Sequence, residues 1–495
     1  MSRTQSTHPP TRIQLAAGTS LSGTQAALAL LAAVTLFRLW YCTRIGLVAD
    51  EAYYWLWCKH LALAYRDKGP AIAWAIAAGT QVFGDTVFGV RWIGVLLSAG
   101  TGWQLFRMAQ RLYDERTALW CLVAGSIIPL LGVGSVLMTI DSLSVFCWAW
   151  AANVFWTALA SGKTRHWAEL GLIIGAGFLA KFTNGVQLLC IGLFLLWSRP
   201  HRRYLVSRQS VAMIAAFVLC ALPMIWWNMQ VGWEQAEALQ SRSGVEGAFH
   251  IRPLQLARFL GEQAGAFSPL IAAGLTVAVI GMFVQHREEE RVRFLLCQGV
   301  PLEALFCFFS LNSAGKANWT APALIPGIVL LVAFWSGVVR SRPRWRWGVG
   351  AAMGLAVLMT GLLQFSYLFP MPRKLDLMHR ALGWSDFADH IQRARTKYDA
   401  PMLIASHYSV ASLMQFYLRD HPTTYLPTGN KSQFGLWPGY KAQAGTRALF
   451  VSDSPRPPAG ILREEFDSLQ MVEHFWSLHM GREMNEFWIY LLERH

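Results

Sequence analysis

The sequence predicts a polytopic α-helical membrane protein with a small α/β domain at its C-terminal end. The 495 residues are 54% hydrophobic and only 15% charged, whereas soluble domains carry about 25% charged residues. Nearly uncharged runs of bilayer length, about 20 residues, recur along the chain. After residue 370 the charge density rises, and helix-like and strand-like segments alternate. A large soluble α-helical protein is the alternative, but no soluble core needs so many uncharged runs of this length.

The apolar runs predict about eleven membrane spans. They lie at 25–43, 86–106, 117–137, 142–160, 167–180, 184–198, 210–228, 267–285, 294–312, 320–339 and 347–369. The span at 167–180 is short and carries Gly171, Gly175 and Gly177. Small residues let helix backbones approach closely, so this span is expected to be tilted or tightly packed against its neighbours.

The loops between the spans fall into two sets that predict the orientation. The Arg-rich set comprises 107–116, 161–166, 198–208, 286–293 and 340–346. The set poorer in Lys and Arg comprises 44–85, 138–141, 181–183, 229–266 and 313–319. The positive-inside rule places the first set, and with it the N-terminus, in the cytoplasm. The same rule accounts for the net charge of +14, so nucleic acid is not expected as a partner.

Three regions follow from this pattern. Residues 1–24 are polar and predicted to be a disordered cytoplasmic tail, residues 25–370 form the membrane domain, and residues 371–495 form the outer domain. In the outer domain we expect a helix over 385–398 capped by Ser385, a strand over 401–407 and a helix over 410–420. Further strands are expected over 423–427 and 447–453. No glycine-rich phosphate loop follows a strand, so no nucleotide site is assigned.

Ionisable residues at membrane depth are costly and are often functional. On the outer side the sequence offers Asp50, Glu51, Asp67, Lys68, Asp141, Lys181, His250, Arg252 and Lys316. They come from different loops but share one membrane face. The pattern therefore favours a polar site assembled from several loop ends.

Structural roles are the alternative for several of these residues. Asp50 and Glu51 stand at the start of a predicted helix and suit its dipole, and Asp141 is placed to cap the helix over 142–160. Lys181 in its short turn is also explained by snorkelling to the interface. The aromatic run YYWLW at 53–57 fits a helix that lies in the membrane interface.

Several motifs occur in the order known from one enzyme family. They are GLVADEAYYWLWCKHLALAYRDKGPAIAWAI at 46–76, FGDTVFGVR at 83–91, Asp141–Ser142, GFLAKFTNG at 177–185 and ANWTAPA at 317–323. Over about residues 45–330 the chain resembles the bacterial branch of the family 39 and 83 membrane glycosyltransferases. These GT-C-fold enzymes include the protein O-mannosyltransferases and the aminoarabinose transferase that modifies lipid A.

The resemblance implies a GT-C fold and a polyprenyl-phosphate-linked sugar as the donor. It implies inverting transfer, on the outer face of the inner membrane, to lipid A, a related glycolipid or another envelope acceptor. The C-terminal domain would then be periplasmic. Membrane lipids, the donor and a lipid or glycan acceptor are the partners that this predicts.

The resemblance also suggests roles for the outer residues. Asp50 matches the family's leading base candidate, with Glu51 and Asp141 as further catalytic candidates. The donor phosphate is expected at Lys68, with Arg91, Lys181, Lys316 and Asn318 as further ligands. Asp67 matches a position that binds a divalent cation (Zn, Mg or Mn) together with a later His, for which His250 is the candidate. A His–carboxylate pair favours zinc.

Two departures from the family pattern bear on these expectations. Gly69 stands where the family often has proline, which predicts a looser backbone after the charged pair. The segment at Asn318 differs from the lipid A branch, so the acceptor is not fixed by it. A lipid or solute transporter, a protein O-glycosyltransferase and a non-catalytic assembly subunit are the competing functions. The absence of an evident repeat, with the acidic residues at one surface, disfavours the transporter.

Overall fold

The computed structural model describes residues 12–14, 20–237, 249–369, 376–442, 447–455 and 460–494. Within these ranges, seven helices are long and apolar enough to cross a membrane, and two shorter apolar helices accompany them. The chain is therefore an integral membrane protein. The total of eleven spans stays a prediction.

The membrane domain is built from helices joined by short connections. They are α1 (Gly23–Tyr41), α2 (Ala49–Lys59), α3 (Ala71–Phe83), α4 (Val87–Leu112), α5 (Glu115–Ile127), α6 (Pro129–Gly134), α7 (Ile140–Ser161), α8 (Thr164–Ala180), α9 (Val186–Trp197), α10 (Arg208–Val231), α11 (Pro253–Phe267), α12 (Pro269–His286), α13 (Glu290–Ser310), α14 (Ala321–Ser341) and α15 (Trp345–Phe365). A 3₁₀ turn over Ala317–Thr320 precedes α14. Several helices begin at side-chain caps: Ser22 receives a hydrogen bond from the backbone N–H of Gln25, and Asp114 from that of Thr117.

Three features of the membrane domain differ from the expected spans. The span at 117–137 is broken between Ile127 and Pro129, because proline has no N–H with which to continue the helix. Helix α3 lies outside the eleven spans because it has only 13 residues. Helix α11 also lies outside them, and its sequence mixes charged and apolar residues.

The predicted disordered tail is partly ordered. Residues Arg12–Gln14 (β1) and Ser20–Ser22 (β2) pair as antiparallel strands directly before α1. Strands of three residues are too short to show the alternation of polar and apolar residues from which a strand is predicted. Residues 1–11 and 15–19 of the predicted tail lie outside the described residues.

The expected close packing of the span at 167–180 is confirmed. A Cβ atom on Gly171 would lie 2.0 Å from the carbonyl oxygen of Met213, and one on Gly175 would lie 2.5 Å from the Cβ of Cys220. Both neighbours belong to α10, so α8 and α10 meet backbone to backbone. Larger residues at these glycines would separate the two helices.

The C-terminal region is a mixed five-stranded sheet with helices. Its elements are α16 (Trp384–Lys397), β3 (Met402–Ala405), α17 (Tyr408–Tyr417), β4 (Thr424–Tyr425), β5 (Arg447–Ser452), α18 (Gly460–Glu465), β6 (Ser468–His479) and β7 (Arg482–Glu493). The strand order is β4-β3-β5-β7-β6, with β3 parallel to β4 and β5 and the remaining pairs antiparallel. This confirms the expected alternation of helices and strands.

Two details of this domain correct the sequence analysis. Helix α16 begins at Trp384 after Gly383, whose φ is 83°, so the predicted Ser385 cap is wrong and Ser385 lies inside the first turn. The β6–β7 hairpin was not expected, because its turn at Met480 and Gly481 lacks the usual Asn-Gly signal. Met480 itself adopts a positive φ of 51°.

The aromatic helix α2, expected in the membrane interface, is covered by protein on all sides of its aromatic run. Its residues Tyr53 to Trp57 are all buried, and they pack against α17 of the C-terminal domain. The Tyr53 and Tyr408 rings stack at 4.4 Å, and the Trp55 and Phe416 rings meet edge-on at 4.9 Å. The C-terminal domain therefore covers the segment in which the first two acidic residues lie.

Candidate active site

Three expected residues from three separate loops meet in one cluster. The Lys181 ammonium nitrogen lies 2.7 Å from Asp141 Oδ1, and the Asn318 amide donates to Asp141 Oδ2 at 2.7 Å. Lys181 also donates to the Asn318 carbonyl at 3.3 Å. Because Asp141 is held by its carboxylate and lies inside α7, it is not the helix cap that the sequence suggested. Lys181 is buried in an ion pair, so it does not snorkel to the interface.

A second cluster buries an ion pair completely. Arg91 Nε donates to Glu51 Oε1 at 2.8 Å, and both side chains are fully inaccessible to solvent. The other guanidinium nitrogens of Arg91 donate to the carbonyls of Cys42, Ile45 and Gly46. The expected contact of Arg91 with a donor phosphate does not fit this geometry, because the guanidinium is enclosed by protein. Glu51 is likewise closed to an acceptor.

The buried Glu51 carboxylate fixes the start of α2 beside α7. It accepts hydrogen bonds from the backbone N–H groups of Val48, at 3.0 Å, and Met138, at 2.8 Å. Met138 lies three residues before Asp141. Asp50, the neighbour of Glu51, is exposed at this helix end. The pair of acidic residues is therefore divided into one buried and one accessible carboxylate.

Asp50 lies near the C-terminal domain as well. Partial desolvation lowers the pKa of His407, an exposed residue at the start of α17, and the negative charges of Asp453 and Asp50 oppose that shift. Asp50 is thus within electrostatic range of His407. The accessible carboxylate stands where α2 and the C-terminal domain meet.

Asp67 and Lys68 belong to a tight turn that is stabilised by hydrogen bonds and an ion pair from another segment of the chain. The backbone N–H of Tyr65 donates to the Lys68 carbonyl at 3.0 Å, and the Lys68 N–H returns a bond of 3.3 Å. The Gln235 amide donates to the carbonyls of Tyr65 and Lys68, at 2.6 and 2.8 Å. Arg66 pairs with Glu234 at 2.8 Å. The loop after α10 therefore supports this turn through Glu234 and Gln235.

Gly69 is wedged against α8. A Cβ atom there would lie 1.9 Å from the carbonyl oxygen of Leu179, which no real side chain tolerates. The expectation of a looser backbone at Gly69 is therefore wrong, because the glycine is needed for a close approach. Since Leu179 lies two residues before Lys181, this contact brings the Asp67–Lys68 turn beside the Asp141–Lys181–Asn318 cluster.

The structure supplies no third described ligand for Asp67 and His250, the residues proposed for a metal. His250 is exposed, and its backbone N–H donates to Asn312, while Asp67 belongs to the turn held by Glu234 and Gln235. Among the residues that the structure describes, no group of three or more His, Cys, Asp and Glu could hold an ion. The donor set therefore does not fit a closed metal site.

An apolar cavity of about 390 Å³ opens beside the cluster. Asp141, Asn318 and Thr139 line it together with Arg38 and several other Ser and Thr residues, and the remaining lining is apolar, with residues from α1, α4, α5, α6 and α14. Its size is in the range of ordinary ligand pockets. Lys316 is exposed one residue before the turn that carries Asn318. The arrangement joins charged groups to a space suited to hydrocarbon.

Sequence reasoning missed the uncharged side chains that support the site. Gln235 and Gln433 gave no signal, because a glutamine in a loop is normally solvated. Glu234 is an acidic residue in an outer loop and could have been included among the candidates. Only the folded contacts reveal that Glu234 and Gln235 hold the Asp67–Lys68 turn and that Gln433 accepts a hydrogen bond from the Arg66 N–H.

The structure thus combines a helical membrane domain with an ion-paired cluster beside an apolar cavity. The fold agrees closely with the crystal structure of ArnT from Cupriavidus metallidurans, both in the apo state and bound to undecaprenyl phosphate. The TM-scores are 0.63 and 0.61, at 14% and 15% identity, and each match covers 94% of this chain and 98% of that chain.

The family model described as dolichyl-phosphate-mannose-protein mannosyltransferase matches residues 67–227. The lipid A galacturonosyltransferase RgtD of Rhizobium johnstonii is 25% identical over 399 residues, which cover 78% of this chain and 81% of the relative. The undecaprenyl phosphate-alpha-4-amino-4-deoxy-L-arabinose arabinosyl transferase of Pseudomonas aeruginosa is 30% identical over 297 residues. That match covers 56% of this chain and about half, 51%, of the relative.

Together, these comparisons support a GT-C-fold membrane glycosyltransferase similar to the branch of the aminoarabinose lipid A transferases. This confirms the resemblance seen in the ordered motifs, the fold class and the assignment as a glycosyltransferase. The roles of individual residues stay predictions.

Proposed function

We propose that the protein moves a sugar from a polyprenyl-phosphate donor to a lipid acceptor of the lipid A type, with inversion at the anomeric carbon. The observation that carries this proposal is the convergence of Asp141, Lys181 and Asn318 from three loops beside an apolar cavity. The names of the relatives, which act on lipid A or use undecaprenyl phosphate sugars, support the same substrates. We place the reaction on the outer face, since the Arg-rich loops lie on the opposite side.

In the proposed reaction an acceptor hydroxyl oxygen attacks the anomeric carbon. The new C–O bond forms as the bond from that carbon to the phosphate oxygen breaks, and the lipid phosphate leaves with the electron pair. Asp50 takes the hydroxyl proton, because it is the exposed carboxylate of its pair and general bases must reach the proton they remove. Lys68 and Lys181 offset the charge that develops on the phosphate.

Glu51 and Arg91 take a positioning role in this proposal. Their enclosed pair ties the start of α2 to α4 and to Met138, and so it sets where Asp50 stands relative to Asp141. Asn318 orients the Asp141 carboxylate, which in turn holds the Lys181 ammonium group. No step is assigned to a metal, because the Asp67 and His250 donors do not fit one. Activity that persists in the purified enzyme after chelation would agree with this.

Mass spectrometry of envelope glycolipids and glycoproteins, from cells with and without the protein, tests the function. We expect one sugar mass to disappear from a glycolipid when the protein is absent and to return with the wild-type chain. Loss of a sugar from proteins alone would favour a protein O-glycosyltransferase. If the glycolipids and glycoproteins are unchanged and a lipid accumulates on one face of the membrane, a flippase is favoured.

A further inference from the structure

The C-terminal domain reaches into the candidate site through one buried side chain, Gln433. This residue follows Ser432 at the start of a short 3₁₀ turn, Gln433–Leu436, and it is only 4% exposed. A buried amide is expensive unless its polar atoms are bonded. What Gln433 bonds to therefore indicates why the chain keeps a glutamine there.

The backbone and the side chain of Gln433 bind two different segments of the site. Its backbone N–H donates to the Tyr53 hydroxyl at 2.9 Å. Its side-chain Oε1 accepts from the backbone N–H of Arg66 at 2.8 Å. Tyr53 lies one turn after Asp50 in α2, and Arg66 begins the Arg66–Asp67–Lys68 stretch of the tight turn. One residue thus spans from the helix of the proposed base to the turn of the proposed phosphate ligand.

Gln235 holds the same turn from the membrane domain. It is 5% exposed, its amide nitrogen donates to both turn carbonyls, and its oxygen accepts from Asn228 at 2.6 Å. The carbonyls of the turn are therefore bound to Gln235, and the Arg66 N–H is bound to Gln433. The backbone from which Asp67 and Lys68 extend is fixed from both domains.

We infer that the C-terminal domain is an integral part of the donor site and that Gln433 is a positioning residue, which fixes the Lys68 turn relative to the Asp50 helix. This inference rests on the proposed function and assigns the domain to the phosphate end of the lipid donor. Gln433 acts through Lys68 and does not need to touch the substrate.

The test measures the affinity of the full-length protein in nanodiscs for undecaprenyl phosphate, the lipid phosphate without a sugar. Gln433→Met keeps the side-chain length and removes the acceptor oxygen. We expect it to weaken the affinity about tenfold, which is the effect of roughly one lost hydrogen bond. Gln235→Met should act in the same direction, and Tyr53→Phe should do so more weakly.

Gln415 supplies the matched control. It is also a buried glutamine of the C-terminal domain, but among the described residues its side chain bonds to Thr424 of the same domain. Gln415→Met should therefore leave the affinity for undecaprenyl phosphate unchanged, even where it lowers the unfolding temperature. The combined Gln235→Met and Gln433→Met variant should lose less affinity than the two single losses together, because both residues hold one turn.

The outcomes separate this inference from the proposed function. A wild-type protein that does not bind undecaprenyl phosphate contradicts the proposed function itself. A wild-type protein that binds, with Gln433→Met binding equally well, overturns the role of Gln433. A loss of affinity in Gln433→Met that Gln415→Met reproduces overturns it too, because the effect then reports the stability of the domain.

Discussion

Lys181 and Asp141 lie 40 positions apart in the chain, yet the ammonium nitrogen and a carboxylate oxygen meet at 2.7 Å, at the C-terminal end of α8 and the N-terminal end of α7. Lys181 is 8% exposed, so the pair is shielded from water and its electrostatic interaction is stronger than at a free surface. Asn318 completes the cluster from a third loop. Five predictions follow from this cluster and its surroundings.

Replacement of Lys181 by Met should lower kcat by about 10²-fold, the usual effect of losing one group that stabilises developing charge. Asp141→Asn should lower it as well, because it releases the Lys181 ammonium group from its position. Transfer assays on both variants and on the double variant measure the coupling, which we expect to be about 0.5–3 kcal/mol. Strictly additive effects would show that the two residues act separately.

Asp50→Asn should lower transfer by about 10²–10⁴-fold, the contribution of a general base, without impairing membrane insertion. Asp85→Asn is the control. Asp85 is another outer acidic residue, bonded to Lys59 and Trp55, and its replacement should leave transfer in place. Full activity of Asp50→Asn would remove Asp50 from the mechanism.

Glu51→Leu should destabilise the protein by about 3–5 kcal/mol, because it leaves the Arg91 charge buried without its partner. The double variant Glu51→Leu with Arg91→Met should be more stable than either single variant, since both charges are then gone. Thermal unfolding in detergent measures this order. If the double variant loses the sum of the single effects, the pair is not energetically coupled.

Gly69→Ala should destabilise the protein by about 1–3 kcal/mol through overpacking, because the new Cβ would overlap the Leu179 carbonyl. Donor affinity should fall with it, since the turn that carries Lys68 must move. Gly192→Ala is the control, because no described residue lies within 4 Å of a Cβ there and alanine favours a helix such as α9. Equal unfolding temperatures for both variants would contradict the close approach at Gly69.

Acidification should weaken the contact between the two domains. Partial desolvation lowers the pKa of both His60, whose ring lies 4.7 Å from that of Trp437, and His407, although both residues remain exposed. Below about 6.5, the ordinary histidine pKa, the unfolded chain binds more protons than the folded one, so stability falls as the pH drops. Above that pH this contribution is fully present.

The predicted loss of stability at acid pH is tested by measuring unfolding temperatures between pH 5 and 8. The wild type is compared with a variant that carries His60→Gln and His407→Gln. The variant should show a flatter decline on the acid side. An identical decline in both proteins would place the responsible groups elsewhere.

The membrane character, the family and the set of outer charges could all be predicted from the sequence. Apolar runs and Arg-rich loops are local signals, and Asp141, Lys181 and Asn318 stood out because charged and polar residues are rare between such runs. The roles within that set could not be predicted. Glu51 and Asp50 are neighbours, but only one of them faces a guanidinium in the folded chain.

The contacts of the glutamines and of Gly69 could not be predicted from the sequence either. Gln433 is 380 positions from the Tyr53 hydroxyl that it binds, and the Leu179 carbonyl at Gly69 comes from another helix. The sequence by itself determined that the chain crosses a membrane and which charges its outer loops offer, because hydropathy and charge are properties of local segments. The tertiary structure alone decided which carboxylate is buried and which turn each glutamine holds, because burial and hydrogen bonding depend on segments that meet only when the chain folds.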